Sequence, residues 1–338
     1  MAIPDHNIRL NQRDCNVAVV GCGYWGKNLV RNFAALGVLE AVSDTDSECA
    51  ARYARECNVK HLNWKEILAD NSIEAVSIAT PAVSHAELTL QALEHGKHVL
   101  IEKPMALDIQ QAEKIVELAH MHDRIVMVGH LLQYHPAFLR LHKFMTEGTL
   151  GSLRYIYSNR LNFGRFRTEE NILWSFAPHD ISMILALTAS EPRHIDAVGQ
   201  SYLGPGIADS TITHLSFVSG VQAHIYVSWL HPFKEQKLVV IGEKGMAVFD
   251  DTQEWDTKLL LYPHVVEQDA GMPVAQRAKA TAIPLQRLEP LREECLHFIK
   301  CITEGKTPRT DAAEGLRVLR VLTTAQQKLD RTLDEPAK

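Results

Sequence analysis

The sequence contains no apolar run near the roughly 20 residues that a membrane-spanning helix requires, which argues against an integral membrane protein. Residues 1–14 are polar and include no apolar stretch, so no secretory signal is expected. No C-x-x-C pair occurs among the six cysteines, so we expect reduced thiols rather than a disulfide framework or a zinc site. Together these absences predict a cytoplasmic protein without a bound metal.

An excess of positive charge is also missing. The chain has 35 basic and 41 acidic residues, a formal net charge of −6. Such a surface does not attract phosphate backbones or anionic lipid, so neither nucleic acid nor a membrane is an expected partner. The chain has 338 residues, of which 46% are hydrophobic, and shows no internal repeat. This length and composition predict a globular protein of two domains.

Short apolar runs alternate with amphipathic segments through residues 1–130. We predict strands at Val17–Val20, Leu39–Ser43, Ala75–Ala79, Val99–Ile101 and Ile125–Val128. Ser84 with Glu87, and Asp108 with Gln111, have the spacing of a capping box at a helix start. Buried strands separated by helices are typical of a parallel sheet. The fold class predicted for this part is α/β, a doubly wound Rossmann domain.

The pattern changes after residue 130 and indicates an α+β domain over residues 131–310. A helix is expected from about Pro136 to Met145, followed by strands without intervening helices. Thr211–Phe217 with Val221–Trp229, and Leu238–Ile241 with Met246–Phe249, are predicted hairpins. An open, mostly antiparallel sheet with helices on one face follows from this order.

The end of the chain is predicted to be irregular first and then helical. Residues 263–288 are rich in Pro, Gln and Ala, and no element is predicted there. Helices are expected at Pro290–Thr303 and Ala312–Leu329, with Asp311 and Glu314 at the start of the second. Residues 311–338 are interpreted as a C-terminal helix that packs back on the body.

The segment Gly21-Cys22-Gly23-Tyr24-Trp25-Gly26 follows the first strand and opens a helix. In a dinucleotide-binding turn the first glycine permits the tight turn, the second admits a pyrophosphate and the third lets the helix pack on the strand. Asp44 lies 18 residues beyond Gly26, close to the spacing of an acid that binds the adenosine ribose. Its charge would repel a 2′-phosphate, so NAD is favoured over NADP. A structural turn, with Asp44 as a solvated acid, is the alternative.

Ligands of an open α/β sheet bind outside the carboxyl ends of its strands. Thr80-Pro81, Glu102-Lys103-Pro104 and Gly129-His130 follow three predicted strands. A lysine at the end of a buried strand loses hydration, which lowers its pKa and suits it to acid–base chemistry. Lys103 is therefore a candidate catalytic residue, although a surface lysine extending from the sheet edge is equally compatible with its position.

These motifs resemble the glucose–fructose oxidoreductase, inositol dehydrogenase and rhizopine-catabolism (Gfo/Idh/MocA) family. The resemblance rests on G-C-G-Y-W-G, on Thr80-Pro81 with His85, and on the run from Gly96 to Pro104 that ends in E-K-P. It implies a nicotinamide-dependent oxidoreductase acting on a sugar or polyol, and a homodimer or homotetramer formed through the second domain's sheet. The cofactor contacts that it implies are Gly21, Gly23, Tyr24, Trp25, Gly26, Asp44, Thr80, His85, Glu102 and Lys103.

The resemblance also implies a second catalytic residue, a histidine at the start of a helix, which matches His179. Many members carry an aspartate four residues earlier, where this sequence has Ser175. A serine can hydrogen-bond the imidazole but cannot stabilise its charged form as a carboxylate would. Whether Lys103 or His179 is the main proton acceptor is therefore left open.

Three arginines within eight residues suggest a diphosphate ligand, because guanidinium groups bind phosphate in bidentate fashion. The predicted substrate contacts are Tyr134, Arg160, Arg165, Arg167, Trp174 and His179. The segment resembles the branch of the family that oxidises UDP-activated amino sugars at C3, with UDP-N-acetylglucosamine the expected substrate. Alternatives are a UDP-N-acetylglucosaminuronate, a free polyol or inositol, an NAD-binding regulator without catalysis, and a loop whose arginines pair internally with Glu169 and Glu170.

Overall fold

The computed structural model describes residues 15–164 and 166–334, except for the side chains of 332 and 334. The expectation for residues 1–14 and the candidate contact Arg165 lie outside the described residues. The chain divides into two compact units. The first contains the described residues up to Leu131 together with Glu289–Leu319, and the second contains Leu132–Leu288 and the described residues from Arg320 onward. Residues 289–310 thus belong with the first unit, whereas the sequence analysis had assigned them to the second domain.

The first unit contains a parallel sheet whose six strands follow the order β3-β2-β1-β4-β5-β6. The strands are β1 Val17–Val20, β2 Leu39–Ser43, β3 Lys60–His61, β4 Ala75–Ile78, β5 His98–Ile101 and β6 Val126–Val128. The helices among them are α1 Gly26–Leu36, α2 Ser47–Cys57, α3 Trp64–Ala69, α4 His85–Glu94 and α5 Ile109–Met121. The strand order reverses between β1 and β4, which is where a doubly wound sheet binds its ligand. This unit confirms the predicted Rossmann fold.

Local signals account for several of these boundaries. Every residue of β1 and of β4 is buried, as expected for strands covered on both faces. The Asp108 side chain accepts a hydrogen bond from the Gln111 N–H and caps α5 as predicted. The cap predicted at Ser84 is wrong. Its hydroxyl instead bonds the Pro81 carbonyl and the Thr80 hydroxyl, within a 3₁₀ turn that precedes α4.

The second unit contains a mixed sheet of eight strands in the order β16-β13-β12-β11-β7-β10-β9-β8. Only the β7–β10 pair is parallel in this sheet as described. The strands are β7 Leu153–Phe163, β8 Pro192–Gln200, β9 Ser210–Phe217, β10 Gln222–Ser228, β11 Leu230–Gly242, β12 Met246–Asp250, β13 Leu259–Tyr262 and β16 Thr281–Ala282. Both predicted hairpins, β9–β10 and β11–β12, are confirmed, as is the mostly antiparallel sheet.

Two expectations for this unit are wrong. The helices here are α6 Pro136–Thr146 and α7 Ile172–Thr188, and α7 interrupts strands that the sequence pattern predicted to follow each other without a helix, although the family resemblance implied one at His179. Twelve of the residues of α7 are buried, and the segment accordingly contains few polar residues. The segment predicted to be irregular also forms a hairpin, β14 Val265–Asp269 with β15 Met272–Gln276. Nearly all of its side chains are exposed, so no burial pattern in the sequence marks it.

Two helices complete the described chain, α8 Pro290–Glu304 and α9 Ala312–Asp334. Helix α8 packs against α1, and Glu289 at its start accepts hydrogen bonds from Arg31 and Asn32 of α1. The Asp311 side chain accepts from the Glu314 N–H at 2.8 Å and caps α9, as predicted. Within the described residues, no helix combines the length and the apolar character that crossing a membrane demands.

Candidate active site

The three glycines of the first turn differ in how much room their surroundings leave for a side chain. Gly21 has φ +92°, and a Cβ there would lie 2.7 Å from the backbone carbonyl of Ala79. A Cβ on Gly26 would lie 1.8 Å from the Gly21 carbonyl oxygen. A Cβ on Gly23 would meet nothing within 4 Å. Gly23 therefore borders open space at the start of α1, where backbone N–H groups and the helix dipole favour an anion.

Asp44 follows β2 and is fixed by the turn. Its Oδ2 accepts from the Cys22 N–H at 2.6 Å, and its Oδ1 accepts from the Asp46 N–H at 2.9 Å. These bonds hold a half-buried carboxylate beside the glycine-rich turn, at the carboxyl end of the sheet. Each carboxylate oxygen has further acceptor capacity, so the group can still bind ribose hydroxyls. The residues present therefore fit NAD.

Glu102 and Lys103 follow β5, on the same edge of the sheet. The indole N–H of Trp25, in the glycine-rich turn, donates a hydrogen bond to Glu102, and the Lys103 N–H donates to its Oε2 at 3.3 Å. Burial raises the pKa of Glu102, while the Trp25 bond and the Lys103 charge oppose that rise. A Cβ on Gly129 would lie 3.1 Å from the Glu102 carboxyl group, so a larger residue would crowd it. Glu102, Lys103 and Trp25 thus lie together at this edge of the sheet.

His85 does not lie where a cofactor contact would be expected. Its side chain is 1% exposed. Nδ1 lies 2.8 Å from the Pro104 carbonyl and Nε2 lies 2.8 Å from the Thr80 carbonyl. His85 therefore links the loop after β4 to the turn that follows Lys103, and its expected contact with NAD is corrected to a supporting one. Thr80 itself is half-buried at the end of β4.

His130 follows β6 and forms a contact that the sequence analysis missed. Its Nδ1 lies 2.6 Å from Glu314 Oε2, with both side chains almost fully buried. The two residues are 184 positions apart in sequence, so no local pattern marks the pair. Its position at the end of β6 was the only available signal.

His179 lies within helix α7 rather than at its start. The helix begins seven residues earlier, with the Asn171 side chain accepting from the Trp174 N–H at 3.2 Å. Pro178 precedes His179, and because proline has no N–H the helical ladder is broken at that point. Ser175 lies one turn before His179 and is 5% exposed, while His179 is half-buried.

Asp180, directly after His179, is a second residue that the sequence analysis missed. Its carboxylate accepts from Arg160 Nε at 2.7 Å, from Arg160 Nη2 at 3.0 Å and from the Ser158 hydroxyl at 2.5 Å. Asp180 is fully buried and Arg160 is 9% exposed. The Arg160 guanidinium is thus held inside the unit by a carboxylate, and its expected contact with a diphosphate is corrected to a structural one.

The remaining candidate substrate contacts differ in exposure. Arg167 is exposed and forms an ion pair with Glu170, as the alternative interpretation of this loop held. Trp174 is half-buried, and its indole N–H donates to Gln326 at 2.9 Å. Tyr134 is 1% exposed, so the expected stacking of its ring on a sugar is not supported. Phe163 and Phe166, in the same segment, are exposed and contact each other edge to face.

Comparisons with known proteins agree with this geometry. Residues 15–130 match the model of the Gfo/Idh/MocA oxidoreductase family with an NAD-binding Rossmann fold, and residues 138–248 match the Gfo/Idh/MocA C-terminal domain. UDP-N-acetylglucosamine 3-dehydrogenase from Acidithiobacillus ferrooxidans is 25% identical over 303 residues, 89% of this chain and 93% of that protein. Its solved structure superimposes with a TM-score of 0.84, over 95% of this chain and 99% of that one.

Two further relatives are of interest. The NAD-dependent scyllo-inositol 2-dehydrogenase of Bacillus subtilis is 26% identical, over 86% of this chain and 87% of that protein. The structure of an oxidoreductase from Magnetospirillum magnetotacticum is 31% identical, with a TM-score of 0.77 over 91% of this chain and 98% of that one. The chain belongs to the Gfo/Idh/MocA family and is an NAD-dependent oxidoreductase acting on a CH–OH group.

Proposed function

We propose that the chain oxidises the C3 hydroxyl of UDP-N-acetylglucosamine to the 3-keto sugar. The observation that carries this proposal is the likeness, over nearly the whole of both chains, to UDP-N-acetylglucosamine 3-dehydrogenase. The 3-keto group is a substrate for transamination, so the product would precede a 2,3-diamino sugar such as that of lipid A.

The first unit supplies the cofactor site. When bound, NAD supplies the hydride acceptor for the reaction. Gly23 and the N-terminus of α1 would hold its pyrophosphate, and Asp44 would accept hydrogen bonds from the adenosine ribose. Tyr24, which is 76% exposed, and Thr80 at the end of β4 are further candidate contacts.

Lys103 and His179 are the proposed catalytic residues. A secondary hydroxyl does not ionise by itself at neutral pH, so one of the two must accept its proton while the other hydrogen-bonds the developing alkoxide. Ser175 stands one turn from His179 in place of a carboxylate, so an imidazolium there is less stabilised. We therefore assign to Lys103 and His179 a shared part in the proton transfer.

The diphosphate contact is assigned to Arg167 and Arg165, with Trp174 beside the sugar. Arg160 is left out because its guanidinium is bound to Asp180. Arg167 must give up its exposed ion pair with Glu170 in order to bind a phosphate. Such an exposed pair contributes only about 0–1 kcal/mol to stability, so breaking it costs little.

A free polyol is the second candidate substrate. It is favoured by the fact that Arg160 and Arg167 already have carboxylate partners, so neither needs a phosphate. The likeness to scyllo-inositol 2-dehydrogenase points the same way. A UDP-N-acetylglucosaminuronate and an NAD-binding regulatory role remain the further alternatives.

One experiment separates these candidates. The protein is incubated with NAD and, separately, UDP-N-acetylglucosamine, its uronate, free N-acetylglucosamine and myo-inositol. NADH is followed by absorbance, and the product is identified by its loss of two hydrogens and by borodeuteride reduction, which labels the oxidised carbon. We expect turnover with UDP-N-acetylglucosamine and label at C3. Turnover with myo-inositol alone would show that the proposed UDP-sugar substrate is wrong. NAD binding without turnover of any of these compounds would favour the regulatory role.

A further inference from the structure

The indole of Trp25 joins two loops of the first unit that lie far apart in sequence. Trp25 occupies the position just before α1, within the glycine-rich turn. Its Nε1–H donates a hydrogen bond to Oε1 of Glu102, which follows β5 and lies 77 residues further along the chain. Because Nε1–H is the only polar group of a tryptophan side chain, this bond commits that group fully. The glycine-rich turn is thereby fastened to the loop that begins at Glu102.

The Glu102 carboxyl group is confined on its other sides as well. The Lys103 N–H donates to Oε2 at 3.3 Å, and a Cβ on Gly129 would lie 3.1 Å from the carboxyl carbon. The Glu102 backbone is also fixed, because its N–H donates to the Ile78 carbonyl of β4 at 3.0 Å. Ordering a long, flexible side chain costs conformational entropy. These contacts offset that cost before any ligand is bound.

The strand order assigns Glu102 to one half of the dinucleotide site. In the sheet, β1 has β2 on one side and β4, followed by β5, on the other. Asp44 after β2 is assigned to the adenosine ribose, and Gly23 after β1 is assigned to the pyrophosphate. The other half of a dinucleotide must then extend over the ends of β4 and β5, where Glu102 lies. That half carries the second ribose, whose hydroxyls can donate to a carboxylate.

We propose that Trp25 is a positioning residue for the nicotinamide half of NAD, and that its indole N–H holds the Glu102 carboxyl group where it accepts from the second ribose. The proposal rests on the proposed roles of Gly23 and Asp44 and is independent of which alcohol is oxidised. Without the indole N–H, ligand binding has to order the carboxyl group, and the affinity falls accordingly. The bond also opposes the rise that burial causes in the pKa of Glu102, so it favours the carboxylate form.

The test compares ligands that contain or lack the second ribose. NADH and ADP-ribose contain it, whereas ADP ends at the pyrophosphate. Trp25→Phe keeps an aromatic ring but removes the N–H. In calorimetric titrations of the full-length protein we expect the affinity for NADH and for ADP-ribose to fall about tenfold, the scale of a lost hydrogen bond to a charged group. The affinity for ADP should stay the same. An equal loss for ADP would show that Trp25 only supports the turn, and either that result or an unchanged NADH affinity would overturn the proposal.

Two further variants serve as controls. Trp64→Phe removes an indole N–H that donates to Gln91 at 2.6 Å elsewhere in the first unit, and it should change none of the three affinities. Asp44→Ala should weaken all three ligands, because all of them contain the adenosine ribose. If Asp44→Ala weakened NADH and ADP-ribose but not ADP, the dinucleotide would lie in the opposite direction and the proposal would be wrong.

A double variant tests whether Trp25 acts through Glu102. When Glu102→Ala is already present, Trp25→Phe should cost no further NADH affinity, because the carboxyl group that the indole holds is gone. A further loss of the same size as in the single variant would mean that the indole acts on the cofactor directly, which contradicts a positioning role.

Nuclear magnetic resonance tests the hydrogen bond itself in the absence of ligand. The indole N–H signal of Trp25, assigned by its loss in Trp25→Phe, should move in Glu102→Ala, while the indole signal of Trp64 stays in place. An unmoved Trp25 signal would show that the bond to Glu102 is absent. Because none of these measurements uses a sugar, a failure of the proposed sugar oxidation would not be mistaken for a failure of this proposal.

Discussion

The guanidinium of Arg160 donates two hydrogen bonds to the carboxylate of Asp180, the residue that follows His179. Arg160 lies on β7 and Asp180 on α7, so the ion pair fastens the helix to the sheet at the turn that carries His179. The hydroxyl of Ser158, also on β7, donates to the same carboxylate. A residue first interpreted as a substrate contact therefore fixes the position of the candidate catalytic histidine.

Replacing Arg160 by Met should destabilise the protein by about 3–5 kcal/mol, because it leaves the buried Asp180 charge unpaired. Binding of UDP should not change, since the guanidinium is already bound by Asp180. Urea unfolding and UDP titration measure the two effects. Arg167→Met is the matched control for the unfolding measurement only, because the loss of its exposed pair with Glu170 costs about 0–1 kcal/mol.

A double variant tests the same pair from the other side. Arg160→Met with Asp180→Leu removes both charges and should recover much of the stability lost in the single variant, because no unpaired charge remains. If Arg160→Met unfolds like the wild type but loses UDP binding, the original interpretation of Arg160 as a diphosphate ligand is restored.

Replacing Asp44 by Ala should weaken NADH binding by roughly 1–3 kcal/mol, the scale of a lost charged hydrogen bond. NADPH should be affected less, because the repulsion of its 2′-phosphate is removed. Asp44→Asn keeps an acceptor for the Cys22 N–H and separates loss of charge from loss of turn structure. Fluorescence titrations with both cofactors provide the measurement, and equal wild-type affinities for the two would contradict the assigned role.

The parts of the fold that were predictable from sequence are those with local, repeated signals. β1 and β2 have the predicted boundaries because each is a short run of buried residues beside a marked turn. The three glycines and Asp44 were predictable for the same reason, since their chemistry depends on spacing along the chain. The cap at Ser84 failed because a competing bond to Pro81 gave the hydroxyl another partner.

The parts that were not predictable depend on distant residues. The pairing of Arg160 with Asp180, and of His130 with Glu314, joins separate elements, and the sequence shows only charged residues that look available to a ligand. Glu294 is 1% exposed on α8, yet the sequence does not mark it as buried, because the apolar residues at 291, 295, 298 and 299 already account for the buried face of the helix. The hairpin of β14 and β15 lacks a buried face, so its sequence lacks the alternation of apolar and polar residues that marks a strand.

Two half-buried histidines, His98 and His297, predict that stability decreases in mild acid. Burial, followed by nearby positive charges, lowers the pKa of His98 and of His297 to about 4, against an ordinary value of 6.5. His98 accepts from the Ile125 N–H, and His297 accepts from the Arg309 N–H. Between these values the unfolded chain binds more protons than the folded one. The contribution of the two neutral imidazoles to the free energy of unfolding is therefore full above pH 6.5 and is lost as the pH falls towards 4.

His98→Asn tests this prediction, because an amide oxygen can replace Nδ1 as the acceptor and does not titrate. Urea midpoints at about pH 8 and about pH 5 should differ less in His98→Asn than in the wild type. His95→Asn, an exposed histidine in the same region, is the control and should leave the difference unchanged. An equal difference in His98→Asn and the wild type would contradict the lowered pKa of His98.

The open face of the second unit's sheet is the proposed surface for a homodimer or homotetramer. Val198 and Ile212 are paired across β8 and β9 and are 48% and 47% exposed. Ile212→Glu places a charge on this face and should lower the mass measured by light scattering, with the far-UV spectrum unchanged. Val218→Glu, at an exposed turn beyond β9, is the matched control. An unchanged mass in Ile212→Glu would exclude this face.

The final prediction concerns the proton transfer. Lys103→Ala and His179→Ala should each reduce kcat by at least about a hundredfold, because a positioned acid or base typically contributes about 10²–10⁴-fold. NADH should still bind to both variants, since neither substitution touches the glycine-rich turn. Steady-state and single-turnover kinetics, with NADH titrations alongside, make the measurement. The double variant should lose clearly less than the product of the two single losses if both groups serve the same proton transfer, as proposed. His179→Gln keeps a polar side chain that does not titrate, so partial recovery there would assign His179 to hydrogen bonding of the alkoxide. Near-wild-type turnover in His179→Ala would leave Lys103 as the sole proton acceptor.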